Sequence, residues 1–99
     1  MADRIIELGL ARPGEAAALA RMSRDFIETG LGWTYRTPRM SKLIADPAAT
    51  ALVAREPGRP VGFAIMRFGD ERAHLVLLAV DPARRRLGIA RRMLNWLVE

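Results

Sequence analysis

The residues best suited to chemistry lie close together in the second half of the chain. Arg84, Arg85, Arg86, Arg91 and Arg92 fall within nine residues that hold no acid. The net charge is +5, and the other ninety residues carry eleven bases and eleven acids. The excess is therefore a local anion site, not a generally basic surface. Gly88 and Ala90 stand among the arginines and are small enough to let the backbone approach a ligand closely. A helix beginning there presents N–H groups with no internal partner, and its dipole draws an anion to them. The guanidinium fork suits phosphate oxygens, so the pattern predicts a phosphate cradle.

Such a cradle needs a strand before it and a helix behind it, and both are legible. His74 to Val80 reads as a strand, apolar on both faces, which predicts a central strand covered by helices on both sides. Asp81-Pro82-Ala83 ends it, with Asp81 as a turn or capping residue. Gly88 to Val98 reads as a helix, with Ile89, Met93, Leu94, Trp96 and Leu97 inward and Arg91, Arg92 and Asn95 outward. Upstream, Ile5 to Leu10 predicts a first strand. Leu19, Met22, Phe26 and Ile27 form the stripe of a helix running through about Ile27, which Gly30 and Gly32 end. An aromatic loop, Leu31-Gly32-Trp33-Thr34-Tyr35, leads to a short helix around Met40, Leu43 and Ile44 that stops before Pro47. Thr50 to Arg55 and Val61 to Phe68 are strands joined by a Pro57-Gly58 turn, and Met66 and Phe68 read as core. The order is β-α-α-β-β-β-α, and 99 residues make one domain.

At this point the chain resembles a known family. Arg85-x-x-Gly88-x-Ala90 is similar to the Gln/Arg-x-x-Gly-x-Gly/Ala signature of the GNAT superfamily of N-acetyltransferases, whose loop holds the pyrophosphate of acetyl-CoA. The strand end Leu78-Ala79-Val80-Asp81-Pro82 before it and the order of elements add to the resemblance. It implies an α/β (mixed α+β) fold with a central, mostly antiparallel sheet flanked by helices, lacking the family's C-terminal strands. It implies transfer of an acetyl group from acetyl-CoA to a primary amine of a small molecule or protein by direct attack. Carried over by position, Leu78, Ala79 and Val80 pair with the pantetheine arm, one N–H there acting as oxyanion donor. Arg85, Arg86, Leu87, Gly88, Ile89, Ala90 and Arg91 form the pyrophosphate loop, with Arg86 where many members have glycine. His74 falls six residues before the strand end, where histone-type members carry a glutamate base. An imidazole there can take a proton from an ammonium, or can be a hydrogen-bonded residue at a strand entrance. Trp33 and Tyr35 correspond to an acceptor-facing loop, or else plug the core.

Other classes fit less well. There is no cysteine and one histidine, so no thiolate nucleophile and no two-histidine or cysteine metal site is expected. Ser23 and Ser41 lack a nucleophile-elbow context. The arginine cluster is too compact for a duplex binder, so nucleic acid is not the expected partner. The longest apolar run, Leu75 to Val80, is far short of a membrane span, and Met1-Ala2-Asp3-Arg4 lacks a signal peptide's apolar stretch, so a cytoplasmic protein is expected. The final helix reaches Glu99 without a glycine cap, and a glutamate there has the wrong sign for the dipole. No later strand pairs with His74–Val80 on one side. These features predict a truncated domain, or a homodimer through the exposed strand edge. A domain that binds CoA or a partner without turnover is the alternative, because the family's thiolate-protonating tyrosine lies beyond this sequence.

Overall fold

A computed structural model describes residues 5–98. The expectations placed on residues 1–4 and on Glu99 lie outside them. The elements are β1 (Glu7–Leu10), a 3-10 turn (Pro13–Glu15), α1 (Ala16–Met22), a π-helical turn (Ser23–Ile27), α2 (Thr37–Ala45), β2 (Ala49–Glu56), β3 (Arg59–Phe68), β4 (Ala73–Val80), a 3-10 turn (Pro82–Arg84) and α3 (Ile89–Val98). The order of helices and strands is the one expected. The first strand is shorter than Ile5 to Leu10, and the second helix longer than its apolar stripe.

The four strands form one antiparallel sheet in the order β1-β2-β3-β4. Alternation divides its side chains between two cores. Ala51, Val53, Phe63, Ile65, Leu77 and Ala79 meet α1 and α2. Leu52, Ala54, Ala64 and Met66 meet Ile89, Met93 and Leu97 of α3. Those three α3 residues recur every four positions, and each contributes roughly 1.5–3 kcal/mol by leaving water. Gly62 lets α3 approach: a Cβ there would stand 3.1 Å from the Ala79 carbonyl oxygen and 3.4 Å from Met93 Cε.

Three expectations need correction. The strand covered on both faces is β3, where Val61 to Met66 are buried without a break, whereas β4 is the edge of the sheet, as its lack of a later partner strand predicts, and is not central. On β4 only Leu77 and Ala79 are buried, and Leu75 is 45% exposed. Two successive hairpins put β4 outside β3, and an apolar run carries no information about lateral position. The register also slips between Ile65 and Met66, so β4 carries an extra residue, Val76. Trp96 is 45% exposed instead of buried. Its helical phase is right, but β1 is only four residues long, and Trp96 overhangs a cavity of about 670 Å³ beside Leu8 and Thr50. Phe68 is 42% exposed at the end of β3, while Met66 is buried as expected. Leu94 is half-buried on the flank of α3.

The stripe of the first helix continues through Ile27, but its last turn widens. The Glu28 N–H donates to the Ser23 carbonyl five residues back, at 2.8 Å. That register brings the Ser23 hydroxyl to the Glu28 carboxylate, also at 2.8 Å.

Candidate functional site

The β4–α3 turn is built from its root outward. Asp81 closes the 3-10 turn, its Oδ1 accepting from the Ala83 N–H at 2.9 Å. Arg59 Nη2 holds the other oxygen of Asp81 at 3.0 Å. Arg84 reaches back across the β2–β3 hairpin and grips Glu56 with both arms of its fork, at 2.8 and 2.7 Å. That fork holds the Glu56 carboxyl down at about 2, against the opposing effect of burial and with help from Arg59. Arg92 Nη2 donates to the Ile6 carbonyl at 2.9 Å. Two of the five clustered arginines are thus structural. Among the described residues, Arg85, Arg86 and Arg91 make no ion pair.

Those three line a groove of about 520 Å³ with Leu78, Val80, Gly88 and Ala90. The backbone curls there because Arg86 and Gly88 are both left-handed, with φ of 71° and 73°. Glycine enters that region freely, whereas an L side chain such as Arg86 costs about 1–2 kcal/mol. The Gly88 carbonyl accepts the first helical hydrogen bond, from the Arg92 N–H at 3.0 Å. The N–H groups of the first α3 turn therefore face the groove's side of the helix without intrahelical partners. A Cβ at Gly88 would meet nothing within 4 Å, so the position opens onto solvent and not onto protein.

The groove also borders the open edge of β4. The Asp81 N–H donates to the Val61 carbonyl at 2.8 Å, on the β3 side. Antiparallel alternation then turns the N–H groups of Val80 and Leu78 away from β3. An extended ligand can pair with them there.

Of the expected site residues, the structure gathers Leu78, Val80, Arg85, Arg86, Gly88, Ala90 and Arg91 around one groove. Ala79 lies in the α1/α2 core and Ile89 in the α3 core, so only their backbone can take part. Leu87 is half-exposed and points clear of the groove lining. His74 is exposed and lies opposite Arg67 of β3, roughly 13 Å along the strand from Leu78.

Trp33 and Tyr35 are both half-buried against the α1/α2 core. Trp33 Nε1 donates to the Tyr35 carbonyl at 3.1 Å, and the guanidinium groups of Arg24 and Arg36 lie 5.2 and 4.7 Å from its ring centre. Arg39 covers the Tyr35 ring at 4.7 Å. Tyr35 lines a second cavity of about 520 Å³, with Arg39, Lys42 and Asp46 of α2 and its C-terminal turn, Arg67 of β3 and Val76 of β4. Trp33 does not border it.

Sequence reasoning missed Glu28. It is only 8% exposed, and its carboxylate accepts from the Thr34 N–H at 2.7 Å, the Tyr35 N–H at 3.2 Å and the Ser23 hydroxyl. Burial pushes this carboxyl up, but the hydrogen bonds outweigh it and hold it below the usual range. A signal existed, since an acid at a helix C-terminus has the wrong sign for the dipole and needs another reason to be there. The cations of the second cavity come from α2 and, 25 residues later, from β3, and carry no common motif.

The family model of the acetyltransferase (GNAT) family matches residues 17–99. No curated protein matches the chain. Among solved structures, the PaiA N-acetyltransferase from Thermoplasma acidophilum, in complex with coenzyme A, superposes with a TM-score of 0.84 at 15% identity, over 95% of this chain and 70% of that one. Diaminobutyrate acetyltransferase EctA from Paenibacillus lautus, in complex with L-2,4-diaminobutyric acid and coenzyme A, gives 0.80 at 19% identity, over 98% of this chain and 58% of that one. A ribosomal-protein-alanine N-acetyltransferase from Brucella melitensis biovar Abortus 2308 gives 0.76 at 23% identity, over 95% of this chain and 69% of that one. At these identities the superpositions establish a shared fold. Because the family match runs over most of the sequence, the chain belongs to the GNAT family of acetyltransferases.

Proposed function

We propose that this chain is a single domain that binds acetyl-CoA in the groove at the β4–α3 turn and passes the acetyl group to a primary amine. The observation that carries the reading is the groove itself. Three arginines with no carboxylate partner among the described residues surround a helix N-terminus whose two left-handed residues expose backbone to a ligand. The pyrophosphate would lie against the first turn of α3 and Arg85, Arg86 and Arg91. The pantetheine arm would run along β4, pairing with the outward N–H groups of Val80 and Leu78.

Chemistry then follows from the family's reaction. The neutral amine nitrogen attacks the thioester carbon, the carbonyl oxygen gathers charge near a β4 N–H, collapse breaks the C–S bond, and the extra proton on the new amide nitrogen passes to the departing thiolate to give CoA thiol. The amine must first lose its ammonium proton. His74, exposed on β4 beyond the groove, is the base we assign. Trp33 and Tyr35 would bound the acceptor side. The acceptors by which two of the similar structures are named, a ribosomal-protein alanine and L-2,4-diaminobutyric acid, support an amine as the class. No helix among the described residues is long and apolar enough to cross a membrane, and we assign the protein to the cytoplasm. The stretch of the open β4 edge before Leu78, which the pantetheine arm would leave free, is a template for a second copy, and we assign a homodimer to it. Sedimentation at high micromolar concentration tests that assignment, and a strict monomer would refute it.

Calorimetry with CoA tests the main reading. Binding should weaken as salt rises, because phosphate contacts are screened. No heat and no thermal shift with millimolar CoA would overturn it. Binding without thiol release from acetyl-CoA in the presence of amines would leave a CoA-binding domain that does not turn over.

A further inference from the structure

We propose that the second cavity selects an acceptor amine that carries an anionic group, a carboxylate or a phosphate, at the end away from the amine. The inference rests on the reading of the chain as an amine acetyltransferase and adds the acceptor's class. The cavity and the CoA groove share one strand. Val76, the extra residue of β4, borders the cavity, and Leu78 borders the groove. Only Leu77 lies between them, so they are roughly 7 Å apart along the strand, on opposite faces of the sheet. Paired residues of an antiparallel sheet share a face, so His74, opposite Arg67, stands on the cavity's side of the sheet. An amine entering from the cavity therefore reaches the β4 edge where the thioester would lie.

The cavity's charges are unbalanced. Arg39, Lys42 and Arg67 line it against one carboxylate, Asp46. Asp46 is already engaged by Arg67 Nη2 at 3.1 Å. Arg39 and Lys42 are three residues apart on one face of α2, where like charges repel, and neither makes an ion pair among the described residues. The Tyr35 ring holds the Arg39 guanidinium in place at 4.7 Å. A guanidinium and an ammonium facing one concavity concentrate positive potential there. A plain alkylamine, itself a cation, would be repelled, whereas an anion on the same molecule would bridge the two cations.

Matched ligands test this on the whole chain. Nα-acetyl-L-lysine and its C-terminal amide differ only in the carboxylate. O-phosphoethanolamine and ethanolamine differ only in the phosphate. Each is titrated by NMR, following backbone amides of residues 39–46, 67 and 76, with and without CoA. The anionic member of at least one pair should bind at least tenfold more tightly, and which pair does so separates carboxylate from phosphate. The double variant Arg39→Gln, Lys42→Gln should erase the preference while CoA affinity, measured separately, stays within twofold. Equal binding within both pairs, or a preference that survives the double variant, would overturn the proposal. If CoA fails to bind, the acetyltransferase reading falls, and the same titrations still decide whether the cavity prefers anions.

Discussion

Two loops of this protein present clustered backbone N–H groups, and they differ in whether the protein itself supplies an anion to meet them. In the aromatic loop it does. The Glu28 carboxylate takes the N–H groups of Thr34 and Tyr35 and the Ser23 hydroxyl, and the loop's rings pack half-buried beneath arginines. At the β4–α3 turn no carboxylate plays that part. Asp81 and Glu56 satisfy the root of the turn and leave its tip to Arg85, Arg86, Gly88 and Arg91. A buried donor left without an acceptor costs about 1–3 kcal/mol, but an exposed one is covered by water and can be handed to a ligand. One loop is thus closed by its own carboxylate, and the other keeps its donors open to solvent.

The largest effect expected from breaking this comparison is at Glu28. Glu28→Ala strands two backbone donors and a hydroxyl, and should cost about 3 kcal/mol in urea unfolding while CoA affinity stays within twofold. A loss under about 1 kcal/mol would mean that aromatic packing, not the carboxylate, holds the loop. At the other loop, Gly88→Val should lower CoA affinity at least tenfold, about 1.4 kcal/mol, by forcing a β-branched residue into a left-handed position that faces the ligand. Unchanged affinity by calorimetry would place the cradle elsewhere.

A smaller effect distinguishes the loops by acid. The carboxyls of Glu28, Glu15 and Glu56 are all held below their usual value near 4.5, Glu56 at about 2. A folded value below the unfolded one gives stability that is present above the unfolded value and lost as pH falls through the folded one. Circular dichroism should therefore show stability falling from about pH 4.5 toward about 2. Glu56→Gln should flatten the acid end of that fall without touching the aromatic loop. The smallest effect is at Arg86. Arg86→Gly relieves a left-handed side chain but loosens the unfolded chain, so stability should move by less than about 0.5 kcal/mol. CoA affinity should nevertheless fall, because one cation leaves the groove. Unchanged affinity would show that Arg86 contributes only its backbone.

Local pattern carried much of this in the sequence. Apolar spacing determined α1 and α3, Pro and Gly determined the turns, and the charge cluster with Gly88 pointed to the groove before any coordinates. These are properties of neighbours in the chain, where a few residues decide the outcome. The structure decided what depends on residues far apart. Only folding brings Glu56 to Arg84 and the Ile6 carbonyl to Arg92, removing two of five arginines from the groove. The free edge of β4 was legible in the order of strands, but only packing leaves Leu75 and Trp96 each 45% exposed. The second cavity needs α2, β3 and β4 together, and folding brings Arg67 of β3 to Arg39 and Lys42 of α2. A sequence determines which residues want water, which want a turn and which carry charge. Which charges meet, and which stay open to a ligand, follows from packing, because coulombic and hydrogen-bond contacts act over a few ångströms of space and not along the chain.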